Sequence, residues 1–463
     1  MAVEPIHRGP PGRRRGARAP RAHGSAPDRP GDRVRVETQN VTTSNQTERP
    51  AATDRQTAED PHLRRGPRGH PLLPGGYGRS TYYTGAPSPY AICGTGYLVT
   101  DDRGRELIDA NNNFTALIHG NAHPEIVEAA TKALSEGASW GIPNLYEWDL
   151  AELLLARLPQ LDQVRFANSG TEAVMSAIRI ARASTGRERV IVTRGGYHGT
   201  SEVALVPGGP GYTRGVTRGV VKDVTTVPLN DIASLREAVE ADASGYAAII
   251  LDLLPNRAGL LSVSEPFVRE ARQLATRHGI VLIIDETISL RLGHGGASGE
   301  CGVSPDLLTT GKLIGGGLPV GAVVGLEALM RETDPTRPGS LPYGGTFSGN
   351  PVSMAAGAAA LRLYPADEVE RLNRLGDAAR ETLNARVADA GWEVRGRGSL
   401  IRAVPVGAEK VDEATQYRLW WESYERGLLG SPANLLSLST PMDQGAVDDI
   451  VERLADAVLA TAA

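Results

Sequence analysis

The chain has 463 residues, is 41% hydrophobic and 22% charged, and carries a net charge of -5. That length allows two or three domains with a large core, and the acidic balance argues against nucleic acid as a partner. Two cysteines, Cys93 and Cys301, exclude a disulfide framework and a cysteine metal cluster. No apolar run approaches the roughly 18 residues of a membrane span, so a cytoplasmic protein with reduced thiols is expected.

Residues 1–70 are rich in Arg, Pro, Gly and Thr, with 14 Arg against eight acids, which leaves about -11 on the remainder. Such a segment buries too little apolar surface to offset its ordering entropy. The RRRGAR run at 13–18 reads as part of a solvated tail or an over-long gene start rather than a phosphate-binding arm. No apolar stretch follows the arginines, which argues against a signal peptide. Order is expected from about Leu72. Arg79 lies in an irregular GYGR turn, and Asp101-Asp102-Arg103-Gly104 joins two alternating segments as a hairpin. Helices are expected at Pro124 to Glu136, with proline at its start, and at Trp148 to Leu158.

Val164 to Ala167 reads as a strand, Asn168-Ser169-Gly170-Thr171 as a turn, and Glu172 onward as a helix. A helix opening after such a turn directs free N–H groups at an anion, although an ordinary capped helix looks the same. Arg189 to Thr193 is a strand followed by the loop GGYHG. Tyr197 there offers a ring to stack on a planar group, and His198 reads as an acid/base group or a structural loop histidine. Tyr246 to Leu251 is a strand ending at Asp252 and the loop LLPNRAG. A helix from Glu265 to Gly279 returns to the apolar run Ile280 to Ile284, which ends on Asp285 and Glu286. Strand–helix alternation indicates a mainly parallel sheet, buried on both faces.

Asp306 to Thr310 leads into Gly311-Lys312 and a triple glycine. The chain has 45 arginines and only four lysines, Lys132, Lys222, Lys312 and Lys410. Lys forms a Schiff base and Arg does not. Burial in an otherwise uncharged turn lowers a lysine pKa. An acid ending one strand and a lysine after the next point to pyridoxal phosphate (PLP), which takes a carboxylate at its ring nitrogen, a lysine at its aldehyde and backbone amides at its phosphate. Pro319 to Gly325 is a further strand, and Asn350-Pro351 opens an Ala-rich helix after a Gly-flanked loop containing Thr346. The last hundred residues read as helices at 366–390 and 444–460 around short strands at 392–404 and 433–439.

In the order RFANSGTEA, GGYHG, the Asp-Glu strand end, TTGKLIGGGLPVGA and GGTFSGNP, residues 72–460 resemble class III aminotransferases of PLP fold type I. Within them they resemble the glutamate-1-semialdehyde aminomutase-like branch. The resemblance implies an α/β fold: a large domain with a mainly parallel seven-stranded sheet between helices, plus a small α/β domain from the N- and C-terminal segments. The implied boundaries are a 1–70 tail, a 71–125 segment of the small domain, a 126–365 PLP-binding domain and a 366–463 small domain. By resemblance, Lys312 holds the cofactor, Asp285 partners the pyridinium and Tyr197 stacks on the ring, with His198 beside it. Ser169, Gly170 and Thr171 form the phosphate cup. Thr346 reaches the phosphate of a neighbouring subunit's cofactor, so a homodimer with shared sites is implied. Arg79 matches an arginine that holds a substrate carboxylate.

Three departures from the family pattern stand out. Asp252-Leu253 replaces a Glu-Pro strand end, leaving Asn256 or Arg257 to meet the cofactor hydroxyl, with Arg257 also the second candidate for a substrate carboxylate. Thr287 replaces a valine under the ring. The segment between Gly199 and Thr225 is short where the aminomutase carries a longer gating loop. The expected function is therefore two-substrate, ping-pong transamination. The amino group passes from an amino acid donor to a keto acid, β-keto acid or cyclic ketone in a specialised biosynthetic pathway. An intramolecular 2,1-aminomutase is the alternative. No metal and no nucleic acid are expected.

Overall fold

The computed structural model describes residues 72–408 and 411–463. The expected tail with its RRRGAR run, and Lys410, lie outside the described residues. Near the start, β1 (Ala91–Thr95), β2 (Leu98–Asp101) and β3 (Glu106–Asp109) form an antiparallel meander. The expected hairpin turn is closed by the Asp101 carboxylate, which accepts from the backbone N–H groups of Arg103 and Arg105 at 2.9 Å each. Gly104 supplies the positive φ that this turn requires.

Seven strands build the main sheet: β4 (Gln163–Ala167), β5 (Arg189–Thr193), β6 (Val224–Val227), β7 (Tyr246–Leu251), β8 (Val281–Asp285), β9 (Leu307–Gly311) and β10 (Gly321–Gly325). Their order is β4-β10-β9-β8-β7-β5-β6. Only β10 runs antiparallel to its neighbours, β9 and β4, so the sheet is mainly parallel as expected. Every residue of β7, β8, β9 and β10 is buried, which is why these segments read as continuous apolar runs rather than alternating ones. The helix Glu265–His278 buries Phe267, Val268, Ala271, Leu274 and Ala275 against the sheet, each large side chain contributing about 1.5–3 kcal/mol on burial. Gly279 ends this helix in the left-handed conformation at φ 59°, the common helix stop.

Three expectations needed correction. The helix expected from Trp148 begins at Leu145. Its start is fixed by polar bonds rather than apolar spacing: the Glu147 carboxylate accepts from the Asn144 side-chain amide at 2.7 Å and its backbone N–H at 3.3 Å. The C-terminal region also holds a helix, Glu413–Glu425, that apolar spacing did not single out. Asp412 caps it by accepting from Thr415 N, and it buries Leu419, Trp420 and Tyr424, with the Trp420 and Tyr424 rings stacked at 5.4 Å. The remaining strands are β11 (Trp392–Arg395), β12 (Leu400–Pro405), β13 (Leu428–Leu429) and β14 (Leu436–Ser437). β13 pairs parallel to β3, joining the C-terminal region to the N-terminal meander. The strand expected at 433–439 is thus only two residues long.

Candidate active site

β7, β8 and β9 are neighbours, and their carboxyl ends bring Asp252, Asp285 and Lys312 to one edge of the sheet. Ligands of open α/β sheets bind at that edge. Lys312 follows β9 directly and opens a one-turn helix, Lys312–Gly315. Its φ of 53° is left-handed, a conformation that costs a side-chain-bearing residue about 1–2 kcal/mol and that concentrates at functional sites. Lys312 is half-buried. Burial pushes its ammonium down from 10.5 to about 8, against the opposing pull of Asp285 and Asp252.

Asp285 is buried and saturated with hydrogen bonds. Its Oδ2 lies 2.9 Å from His198 Nδ1. Its Oδ1 accepts from Thr287 N at 3.1 Å, Thr287 Oγ1 at 2.6 Å and Thr309 Oγ1 at 3.1 Å. Burial alone raises a carboxyl pKa, but the His198 and Thr287 bonds outweigh it and hold Asp285 below the usual range. The reverse holds for His198: burial favours the neutral ring, and the Asp285 carboxylate more than offsets this, so its pKa rises. His198 Nε2 is buried with no partner among the described residues. Asp252 is also buried, and burial followed by the charge of Asp285 pushes it up to about 7. Two neighbouring carboxyls are thus driven apart, one ionised and one near half-protonation at neutral pH.

The helix Gly170–Thr185 starts at the end of β4. Ser169 caps it, its hydroxyl accepting from Glu172 N at 3.2 Å, while the Glu172 carboxylate accepts from Asn168 N at 2.8 Å. The N–H groups of Gly170 and Thr171 fall in the first turn, where no intrahelical carbonyl reaches them. A Cβ on Gly170 would sit 2.9 Å from Thr287 Cγ2, so this helix start is pressed against the residue that holds Asp285. Thr171 Oγ1 accepts from Thr200 N at 3.3 Å, tying the start to the loop carrying Tyr197 and His198.

Tyr197 is partly exposed, and the Arg257 guanidinium lies 4.4 Å from its ring centre. Asn256 is anchored through its oxygens: its Oδ1 accepts from buried Arg402 Nη1 at 3.1 Å, and its backbone carbonyl accepts from the same nitrogen. Arg79 is exposed; it donates to Tyr82 and to Asn113 Oδ1 and has no hydrogen bond to the Lys312–Asp285 cluster among the described residues. Thr346 is exposed, next to Phe347, which is 61% exposed. The structure brings Lys312, Asp285, Thr287 and His198 to one place at the sheet edge. Sequence reasoning missed Thr309, buried inside β9, for which the pattern carries no signal.

Residues 90–457 match the aminotransferase class-III family model. The chain belongs to the class-III aminotransferase family. Among relatives, it is 37% identical to the glutamate-1-semialdehyde 2,1-aminomutase of Rhodopirellula baltica over 70% of this chain and 76% of that protein. Among solved structures, an omega-transaminase from Sphaerobacter thermophilus superimposes with a TM-score of 0.81 at 40% identity, covering 84% of this chain and 95% of that one. A β-phenylalanine aminotransferase from Variovorax paradoxus matches with a TM-score of 0.76 at 30% identity over 83% and 90% of the two chains. The fold is that of PLP fold type I transferases, and a class-III aminotransferase is a PLP-dependent enzyme. The donor set here suits that cofactor: an amine near neutrality, a carboxylate held ionised at depth and a helix start open to an anion.

Proposed function

We propose that this class-III aminotransferase carries out two-substrate transamination between an amino acid donor and a separate carbonyl acceptor. The Lys312–Asp285–His198 arrangement supports the PLP chemistry, and the short segment 200–224 supports its two-substrate form. Bound PLP supplies an electron sink for the charge left when a Cα proton departs. Asp285, kept ionised by His198, Thr287 and Thr309, holds a proton at a ring nitrogen placed against it. Lys312 both anchors the group and, with burial lowering its pKa to about 8, can take and return the substrate proton close to neutral pH. Ser169, Gly170 and Thr171 bind the phosphate through the helix start, and Tyr197 covers the ring face. Arg79 receives a substrate carboxylate through its planar fork.

The acceptor class is a keto acid, a β-keto acid or a cyclic ketone, and the likeness to a β-phenylalanine aminotransferase favours β-amino or β-keto acids. A homodimer sharing its sites, with Thr346 meeting the partner's phosphate, belongs to the same reading. The second reading, an intramolecular amino shift, is favoured by the relatives named as aminomutases. Against it stands the short segment 200–224, which folds as brief turns and short helices. The deciding experiment is turnover of an amino aldehyde such as glutamate-1-semialdehyde with no added donor. Transamination predicts turnover only when donor and acceptor are both present. Sustained isomerisation without a donor would establish the aminomutase.

A further inference from the structure

Among the described residues, the buried arginines serve the backbone. Arg157 donates to the carbonyls of Leu361 and Tyr364, Arg291 to Leu438, Arg380 to Gly398 and Leu400, and Arg402 to Asn256. Arg257 differs. It makes no hydrogen bond and no ion pair among the described residues, and its Nη1 is buried without a partner. What holds it is aromatic: the guanidinium lies 4.4 Å from the Tyr197 ring centre and 4.1 Å from that of Tyr212. Tyr197 stands beside His198, and Tyr212 lies in the Gly-rich segment 208–215. Each ring stabilises the cation through its face. Aromatic faces accept no in-plane hydrogen bond, so the buried Nη1 stays without a protein partner among the described residues. A half-buried cation with idle donors lacks the anion that would ordinarily accompany it.

The neighbouring acids do not fill that role. Asp285 is taken by His198, Thr287 and Thr309. Asp252 accepts from Leu254 N. Asn256, the preceding residue, has both its carbonyl oxygens accepting from Arg402. Arg257 is thus the uncommitted cation of the loop after β7, next to the sheet edge that carries Lys312.

We infer that Arg257 is a carboxylate-binding, specificity-determining residue, so that one substrate of the pair carries a carboxylate in addition to the one assigned to Arg79. This rests on the transamination reading for the identity of that substrate, but the binding event is measurable without turnover. A planar fork packed against two tyrosine rings can offer two parallel N–H groups, the geometry a carboxylate matches.

The test uses PLP-loaded enzyme and two unreactive four-carbon probes, butyrate with one carboxylate and succinate with two, titrated by calorimetry. Succinate is expected to bind at least tenfold more tightly than butyrate to the wild type. Arg257→Gln abolishes that advantage while leaving butyrate affinity within about threefold, and Arg257→Lys restores only part of it because a point charge lacks the fork. The visible absorbance of the cofactor and its pH titration should be the same in both variants. The inference is overturned if succinate has no advantage, or if its advantage survives Arg257→Gln. It is also overturned if that variant instead shifts the pH titration of the cofactor's absorbance with both probes unaffected, which would assign Arg257 to the cofactor's phenolic oxygen. Should Arg257→Gln lose cofactor, Tyr212→Ala, which removes one of the two rings packed on Arg257, must weaken succinate more than butyrate for the inference to stand. Failure of the wild type to transaminate any donor would refute the reaction and leave these binding results standing.

Discussion

A lysine whose pKa falls from 10.5 to about 8 on folding gives the cofactor-free protein an unusual response to alkali. Below pH 8 both states hold the proton, and the folded state carries the full cost of a desolvated charge. Between about 8 and 10.5 the unfolded chain binds more protons than the folded one, so stability rises with pH; above 10.5 the cost is gone. Lys312→Met, compared with wild type as cofactor-free protein, should therefore show its largest gain in Tm below pH 8 and a shrinking gain toward pH 10.5. A gain independent of pH would place the Lys312 charge elsewhere. A second expectation concerns Arg79. Truncating a carboxylate-binding arginine costs about 2–4 kcal/mol, about 30- to 1000-fold in kcat/KM. Arg79→Ala should show that loss with a carboxylated amine and little with its decarboxylated analogue. An equal effect on both would return Arg79 to its visible partners, Tyr82 and Asn113.

At the scale of elements, the start of the helix Gly170–Thr185 and the end of β8 meet at Gly170 and Thr287. A Cβ at 170 would reach Thr287 Cγ2 at 2.9 Å, so Gly170→Ala must push Thr287 aside and loosen its two bonds to Asp285. We expect cofactor affinity, measured by the dissociation constant for PLP, to weaken at least tenfold, with the far-ultraviolet spectrum unchanged. Unaltered affinity would mean the helix start tolerates the methyl. How the sequence signals such elements differs by type. Strands buried on both faces, such as Tyr246–Leu251 and Arg189–Thr193, are legible because nothing but a continuous apolar run satisfies them. Lys312 was legible through its rarity and Asp285 through its place at a strand end. The helix Glu413–Glu425 was not, because its buried face is carried by Trp and Tyr among charged residues and its start by Asp412. Thr309 was not, because a hydroxyl inside an apolar strand looks like β-propensity until the adjacent strand places a carboxylate opposite it. That Asn256 is held through its oxygens depends on Arg402, nearly 150 residues away, a contact no local pattern encodes.

For the whole molecule, the exposed loop with Thr346 and Phe347 and the exposed side chains Ile142, Leu145 and Trp148 fit a face covered by a second copy. Light scattering of the holoenzyme should return the mass of a dimer. Thr346→Ala should speed loss of cofactor on dialysis without changing that mass. A monomer with full activity would remove the shared-site reading, and an unchanged loss rate would remove Thr346 from it.

The scarcity of lysine also makes the protein a convenient object for covalent labelling. Of its four lysines, Lys132 and Lys222 lie exposed on helices, while Lys312 sits half-buried with the lowered pKa that makes an amine nucleophilic. An amine-directed mass tag applied near pH 8 should therefore find Lys312 quickly in cofactor-free protein and not at all once the aldehyde occupies it. The number of tags per chain, read on an intact-mass spectrum, would then fall by one as the site fills and report occupancy directly, without a substrate, a coupled assay or knowledge of what the enzyme aminates.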